Sequence, residues 1–188
     1  MPADPLSWET VESDVAYSCP GFDVVTQTVR LPDGSETDFD YLSEPASVCI
    51  LPLTDDGQVV CIEEWRQAVS RICRGLPVGT TEPDDDDLES AARRELAEET
   101  GYRAETLEAL VTVEPANGLA DSVMHFFVAR GCEPASEQQL DHDESIRASP
   151  TPYETFLESV REGTIRDGRA VLAVAYYELL SQSKRSSD

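Results

Sequence analysis

Apolar and polar positions along this chain follow two different periods, and the change from one to the other divides it. Near the N-terminus, FDVVTQTVRLPDGSETDFDYLS holds two runs of strand-like alternation on either side of Pro32-Asp33-Gly34, which predicts a hairpin. ASVCILPLT, TDDGQ and VVCIEEWRQAV repeat the arrangement, with β-branched strands flanking an Asp-Asp-Gly turn. GLPVGTTEPDDDD then punctuates the chain, and a helical period takes over from Leu88 to about Thr100, with Asp87 as N-cap and Gly101 as the left-handed residue that ends the helix. LEALVTVEPA and SVMHFFVARG read as strands about the Asn117-Gly118 turn, and residues 134–145, PASEQQLDHDES, as an acidic loop of a length that usually serves function. Two helices are expected next, 152 to about 162 and 167 to about 181. The second offers Val171, Leu172, Val174, Ala175 and Leu179 for burial, ahead of a polar tail. Strands before, between and after one long helix predict an α/β or α+β arrangement of layers around one core.

The long helix raises a problem of faces. At about 100° per residue, Leu88, Ala91 and Ala92 define an inward stripe, and Glu95 and Glu99 continue it with Glu98 at its border, while Arg93, Ala97 and Thr100 point outward. A solvated face with an Arg94–Glu98 pair explains three glutamates but not their orientation. An inward carboxylate without a partner costs several kcal/mol, so something positive should lie against them, and a hard divalent cation suits an all-oxygen set.

Composition narrows the classes. With 14 Lys and Arg against 38 Asp and Glu, the formal charge of −24 repels a nucleic-acid backbone. So acidic a surface with few lysines suggests a protein at home in concentrated salt, where screening lengths are short. The longest apolar runs fall far short of a membrane span, and MPADPLSWETVESD lacks the basic and apolar regions of a signal peptide, so the expectation is a cytoplasmic protein with neither membrane nor nucleic-acid partners. Cys19, Cys49, Cys61, Cys73 and Cys132 are odd in number and form no CxxC, which reads as reduced thiols. His125 reads as a hydrogen-bonded core or edge residue, and Trp65, Phe22 and Tyr41 read as core packing with base stacking as the alternative.

Residues Arg94-Glu95-Leu96-Ala97-Glu98-Glu99-Thr100-Gly101-Tyr102 resemble the second half of the Nudix hydrolase signature, Arg-Glu-apolar-any-Glu-Glu-any-Gly-apolar. Gly79, Glu82-Pro83 and the acids at 85 and 86 resemble its first half. The order of the hairpin, VVCIEEWRQAV, LPVG, the signature, NGLADSVMHFFVA, EQQLDHDES and the last helices is similar to that of ADP-ribose pyrophosphatase-like members. The resemblance implies an α/β/α sandwich with a mixed sheet over 45–182, preceded over 1–44 by an antiparallel hairpin region that builds a homodimer, and followed by a tail at 183–188. It implies Mg²⁺, with Mn²⁺ as a substitute, held by Glu95, Glu98, Glu99, Glu144 and the backbone carbonyl of Val78. It further implies Arg66 on a substrate phosphate, structural support from Arg94, Gly79 and Gly101, and a general base among Glu98, Glu144 and His142. The implied reaction is hydrolysis of a nucleoside diphosphate linked to another group, foremost ADP-ribose to AMP and ribose 5-phosphate. The alternatives are another nucleotide substrate or a nucleotide sensor without catalysis.

Three departures from the pattern stand out. Counting forward from Gly79 selects Asp85 and counting back from Arg94 selects Asp86, so the loop holds one extra residue, with Asp where the family has Glu. Gly75 stands where many ADP-ribose enzymes have Glu. His142, flanked by Asp141 and Asp143, occupies a position where a carboxylate base is expected.

Overall fold

Alternation along two central strands decides the layering of the chain. The computed structural model describes residues 4–185, which divide into two compact units. In the first, formed by the described residues up to Ala46 with Glu114–Val123, strands β1 (Glu9–Cys19), β2 (Phe22–Arg30) and β3 (Glu36–Ser43) make an antiparallel sheet in that order. The predicted hairpin is β2–β3. β1 is an addition that its sequence conceals: nearly all of ETVESDVAYSC is exposed, so neither face imposes an apolar alternation. The strand is held by its ladder to β2 and by cross-strand pairs such as Arg30 to Glu9 at 2.6 Å.

The second unit holds β4 (Ser47–Pro52), β5 (Gln58–Arg66), β6 (Arg71–Gly75), β7 (Val78–Thr80), α1 (Leu88–Thr100), β8 (Tyr102–Arg103), β9 (Thr106–Val113), β10 (Met124–Arg130), β11 (Glu133–Pro134), β12 (Ile146–Pro152), α2 (Tyr153–Arg161) and α3 (Gly168–Arg185). One sheet runs β7-β4-β10-β9 and is mixed, because β10 lies parallel to β4 whereas β7 and β9 are antiparallel to their neighbours. A second, antiparallel sheet runs β12-β5-β6. The turn at Asp55-Asp56-Gly57 is present, but β4 and β5 enter different sheets and share a lone bridge, Leu53–Val59.

Val48 and Ile50 of β4, with Phe127 and Ala129 of β10, pack on Ala91, Ala92 and Leu96 of α1. Their neighbours Cys49, Leu51, Met124, Phe126 and Val128 pack the other way, on Phe156 and Leu157 of α2 and Ala170, Ala173 and Val174 of α3. This is the α/β/α arrangement, and the sheet splits the expected one core into two clusters.

Some local expectations need correction. α3 buries Ala170, Ala173 and Val174 but leaves Ala175 and Leu179 exposed, because VLAVAY is apolar all round and docking, not pattern, selects the face. α3 also runs on to Arg185, while the rest of the expected tail lies outside the described residues. Trp65 is 46% exposed and not core, since β5 turns its other face inward, whereas Phe22 and Tyr41 are half-buried. All five cysteines are free thiols. Among the described residues no helix is long and apolar enough to cross a membrane.

Candidate active site

α1 starts as a capping box. The Asp87 carboxylate accepts from the Ser90 N–H at 2.8 Å, and the Ser90 hydroxyl accepts from the Asp87 N–H at 2.8 Å. With the register so fixed, Glu95 and Glu99 fall on the buried stripe at 8% and 2% exposure, one turn apart, and Glu98 lies partly exposed at its edge. Thr100, expected outward, is buried: its hydroxyl donates to the Leu96 carbonyl at 2.5 Å and accepts from Tyr102 N–H at 3.1 Å as the chain turns back over the helix end.

Arg94 is the positive group lying against these acids. Its Nη1 donates to Glu95 at 2.8 Å and Glu98 at 3.0 Å, its Nε and Nη2 grip Asp85 at 3.1 and 3.0 Å, and Nη2 also reaches the Thr80 carbonyl at 2.9 Å. Of the two acids that the spacing selects, Asp85 is the partner of Arg94 and Asp86 is exposed. The Arg94 guanidinium holds the Asp85 carboxyl below the usual range. Gly79 is needed for the same arrangement, since a Cβ there would lie 1.9 Å from the Glu95 carboxyl carbon. On the other side, the Val78 N–H donates to Glu99 at 3.0 Å. One arginine and one amide do not offset the burial. Desolvation pushes Glu95 up to about 7 and Glu99 up to about 8, with the charge of Glu98 on the first, of Glu95 on the second and of Glu144 on both adding to it.

The acidic loop reaches this place by capping α1. Its Gln139 N–H donates to the Glu98 carbonyl at 2.9 Å, the Gln138 side chain to the Glu99 carbonyl, and the Ala135 and Ser136 N–H groups to the Gly101 carbonyl at 2.8 and 3.0 Å. Carbonyls left open at a helix C-terminus thus become the anchor of the segment that carries Glu144. Gly101 has φ 74°, and a Cβ would stand 2.4 Å from the Ser136 carbonyl oxygen. Gly101→Ala should therefore lower stability by about 2–4 kcal/mol, through the left-handed backbone and the displaced loop together. Urea unfolding checks this, and a midpoint within error of wild type would refute the anchoring role.

β12 pairs with β5 so that Ile146 stands opposite Glu64, which brings Glu144 to the same end. Glu144 is half-buried, with its carboxylate accepting from Asp141 N–H at 3.0 Å, and its charge bears on Glu95, Glu99 and Glu64. His142 is 96% exposed and meets Asp143 at 3.6 Å, and is not gathered with the helix glutamates. Arg66 pairs with Glu64 at 2.7 Å. His125, on β10, bonds Thr112 at 2.9 Å.

Glu64, Asp167 and Arg169 belong to this neighbourhood without having been singled out in the sequence. Glu64 is 9% exposed and raised by desolvation against the pull of Arg66 and Arg169. Its only signal is one of parity: Val60, Ile62, Glu64 and Arg66 lie on one face of β5, so Glu64 continues an apolar stripe as Glu95 does, but the apolar run before it masks the alternation.

Among the described residues no three acidic, imidazole or thiol groups stand close enough to hold a metal ion; Arg94 engages Glu95 and Glu98, and Val78 N–H holds Glu99. The donor set nevertheless fits a hard divalent cation. It is all oxygen, two of its members are buried and driven toward neutrality for want of positive charge, and the Gly79 hollow leaves Glu95 room.

Residues 43–168 match the family model described as NUDIX domain. The chain is 28% identical over 175 residues to the ADP-ribose pyrophosphatase of Bacillus subtilis (strain 168), covering 93% of this chain and 94% of that one. It is 28% identical over 172 residues to the methanol dehydrogenase activator of Bacillus methanolicus, covering 91% and 92%. A solved structure described as an ADP compounds hydrolase superposes with a TM-score of 0.81 at 20% identity, over 94% of this chain and 95% of that one, which shows a shared fold.

Proposed function

The chain belongs to the Nudix hydrolase family, related to the ADP-ribose pyrophosphatases and acting on phosphoric anhydrides, and from that premise we propose that it cleaves ADP-ribose to AMP and ribose 5-phosphate. That it is a pyrophosphohydrolase of nucleotide-linked diphosphates follows from the family. Two relatives of equal identity bear different names, so the choice of ADP-ribose among such substrates rests on this reading.

The observation that supports it is the pair of buried carboxylates, Glu95 and Glu99, one turn apart on α1, with the charge of Glu144, on the loop that caps the helix, bearing on both. Glu95, Glu98, Glu99 and the Val78 carbonyl would hold Mg²⁺ or Mn²⁺. When bound, the ion offsets diphosphate charge and eases the ionisation of water. Arg94 fixes Glu95 and Glu98 by charge-assisted hydrogen bonds and touches no substrate. Arg66, whose side chain is 37% exposed, presents its guanidinium to one phosphate. The half-buried Glu144 takes the proton of the attacking water in preference to His142, whose ring stands in solvent. A chain of charge −24 acting on an anionic substrate needs this local reversal of sign.

Release of AMP from ADP-ribose should exceed release of nucleoside monophosphate from other sugar nucleotides, dinucleoside polyphosphates and oxidised nucleoside triphosphates, and EDTA should abolish it. Preference for another member of that panel would replace ADP-ribose. Binding of ADP-ribose without turnover of any compound would favour a sensor.

A further inference from the structure

The hairpin of β5 and β6 ends on two arginines. In its ladder Glu64 faces Cys73, Trp65 faces Ile72 and Arg66 faces Arg71, so the last rung sets one arginine directly opposite another. Side chains of an opposed pair leave the sheet on the same side, with Cβ atoms about 5 Å apart, and like charges so placed repel. Arg66 shares that side with Glu64, which it meets at 2.7 Å, and Arg71 shares it with Gly75, beside which Asp167 lies. The rung is fixed at its closed end by a turn of Gln67–Val69, after which Ser70 stands at φ 50°. Ser70 is the one residue other than glycine with positive φ among the described residues, held there by its N–H and hydroxyl donating to the Gln67 carbonyl at 3.1 and 3.2 Å. On the other strand edge, Trp65 N–H donates to the Ser145 carbonyl at 3.2 Å, which ties the rung to the loop that carries Glu144.

The charges of the chain make this rung unusual. Acidic side chains number 38 against 14 basic ones, and exposed arginines elsewhere, such as Arg30, Arg93 and Arg147, each hold a glutamate. Arg71 is exposed as well, yet among the described residues no carboxylate forms an ion pair with it. Two guanidinium groups set side by side, one of them without a counter-ion, are unfavourable for the chain by itself and favourable for a ligand with two neighbouring anionic groups. A diphosphate is such a ligand. We propose that Arg71 is a second phosphate-binding residue, which together with Arg66 grips the two phosphates of the substrate at the end of the hairpin. The inference rests on the proposed role of Arg66 and deepens it: one guanidinium suffices for a monophosphate, and the opposed pair selects a diphosphate.

Calorimetric titration with α,β-methylene ADP, whose bridge resists hydrolysis, and with AMP tests it without turnover, both in Mg²⁺. Arg71→Met should weaken binding of the diphosphate about tenfold, the worth of a charge-assisted hydrogen bond, and leave binding of AMP within about twofold of wild type. Arg71→Lys should keep part of the difference. In turnover, KM for ADP-ribose should rise by a similar factor with kcat changed far less. The exchange breaks no ion pair and relieves a repulsion, so the urea midpoint of Arg71→Met should equal or exceed that of wild type. Should the methionine variant fail to fold, Arg71→Gln serves for the same comparison. Wild-type affinity for the diphosphate, or equal losses for diphosphate and monophosphate, would overturn the proposal, as would a change in kcat alone. A chain that shows the selective loss of diphosphate binding but spares ADP-ribose contradicts the substrate and upholds the proposal, whereas turnover of ADP-ribose with a wild-type KM in Arg71→Met contradicts the proposal alone.

Discussion

Glu99→Gln should lose activity by a factor on the order of 10³ while making the metal-free protein more stable at pH 8. The two effects share one origin. Glu99 is 2% exposed, and burial pushes its carboxyl up to about 8, so at that pH the folded chain either keeps a proton that water would take or leaves a charge in a poor solvent. Glutamine has the same shape, and its amide oxygen can still accept from the Val78 N–H that Glu99 engages at 3.0 Å. The exchange removes the electrostatic penalty and retains the packing, for a gain of about 2 kcal/mol. What is lost is a negative ligand that only a cation rewards. Turnover of ADP-ribose with Mg²⁺ and unfolding in EDTA are the two readouts. Opposite signs identify a residue placed for function at the expense of stability, whereas retained turnover, or a fall in stability, would show that the buried carboxylate is a structural element and defeat the site described above.

How far such a site can be read in a sequence depends on whether burial leaves a periodic mark. α1 is bounded by a capping box at Asp87 and a left-handed glycine at 101, and its small apolar stripe makes Glu95 and Glu99 conspicuous as intruders. The same logic applied to β5 meets an obstacle before it reaches Glu64. Four consecutive buried residues, Val59 to Ile62, hide the alternation there, so the parity that matters is lost in an apolar run. β12 was illegible for another reason. Pro150 and Pro152 argue against a strand, yet this one lies at the edge of its sheet, where missing N–H groups can face away from the ladder. Arg169 left no local trace at all: it is a helical arginine two residues after Asp167, its ion-pair partner, and only the fold brings Asp167 beside Gly75, across most of the unit in sequence. The loop carrying Glu144 is recognisable as a loop, but its anchoring by the last carbonyls of α1 uses backbone groups, which no side-chain pattern records.

The metal-free protein should lose stability as pH rises from 5 to 8, and Mg²⁺ should restore more of it at pH 8 than at pH 5. The sign follows from the two buried glutamates. Their folded-state values, about 7 for Glu95 and about 8 for Glu99, stand above the ordinary glutamate value of 4.5, so the folded chain holds protons that the unfolded chain has released. The stability they contribute is complete below about pH 4.5 and disappears as pH passes through 7 to 8, with a slope of up to about 1.4 kcal/mol per pH unit for each proton retained. Asp85 and Asp167 run the other way. Arg94 depresses the first and Arg169 works against burial to depress the second, so their contribution is present above the ordinary aspartate value of 3.8 and is lost only in more acid solution, outside this window. A cation that binds the ionised carboxylates competes with those protons, so its stabilising effect must grow with pH. Thermal unfolding in EDTA and in Mg²⁺, with molar KCl in both to screen the general repulsion of a chain carrying −24, separates this site from the rest of the surface. Glu95→Gln with Glu99→Gln should flatten both dependences. A wild-type protein whose stability is level from pH 5 to 8 without metal, or whose gain from Mg²⁺ is the same at both ends, would mean that these carboxylates are not the groups awaiting the cation.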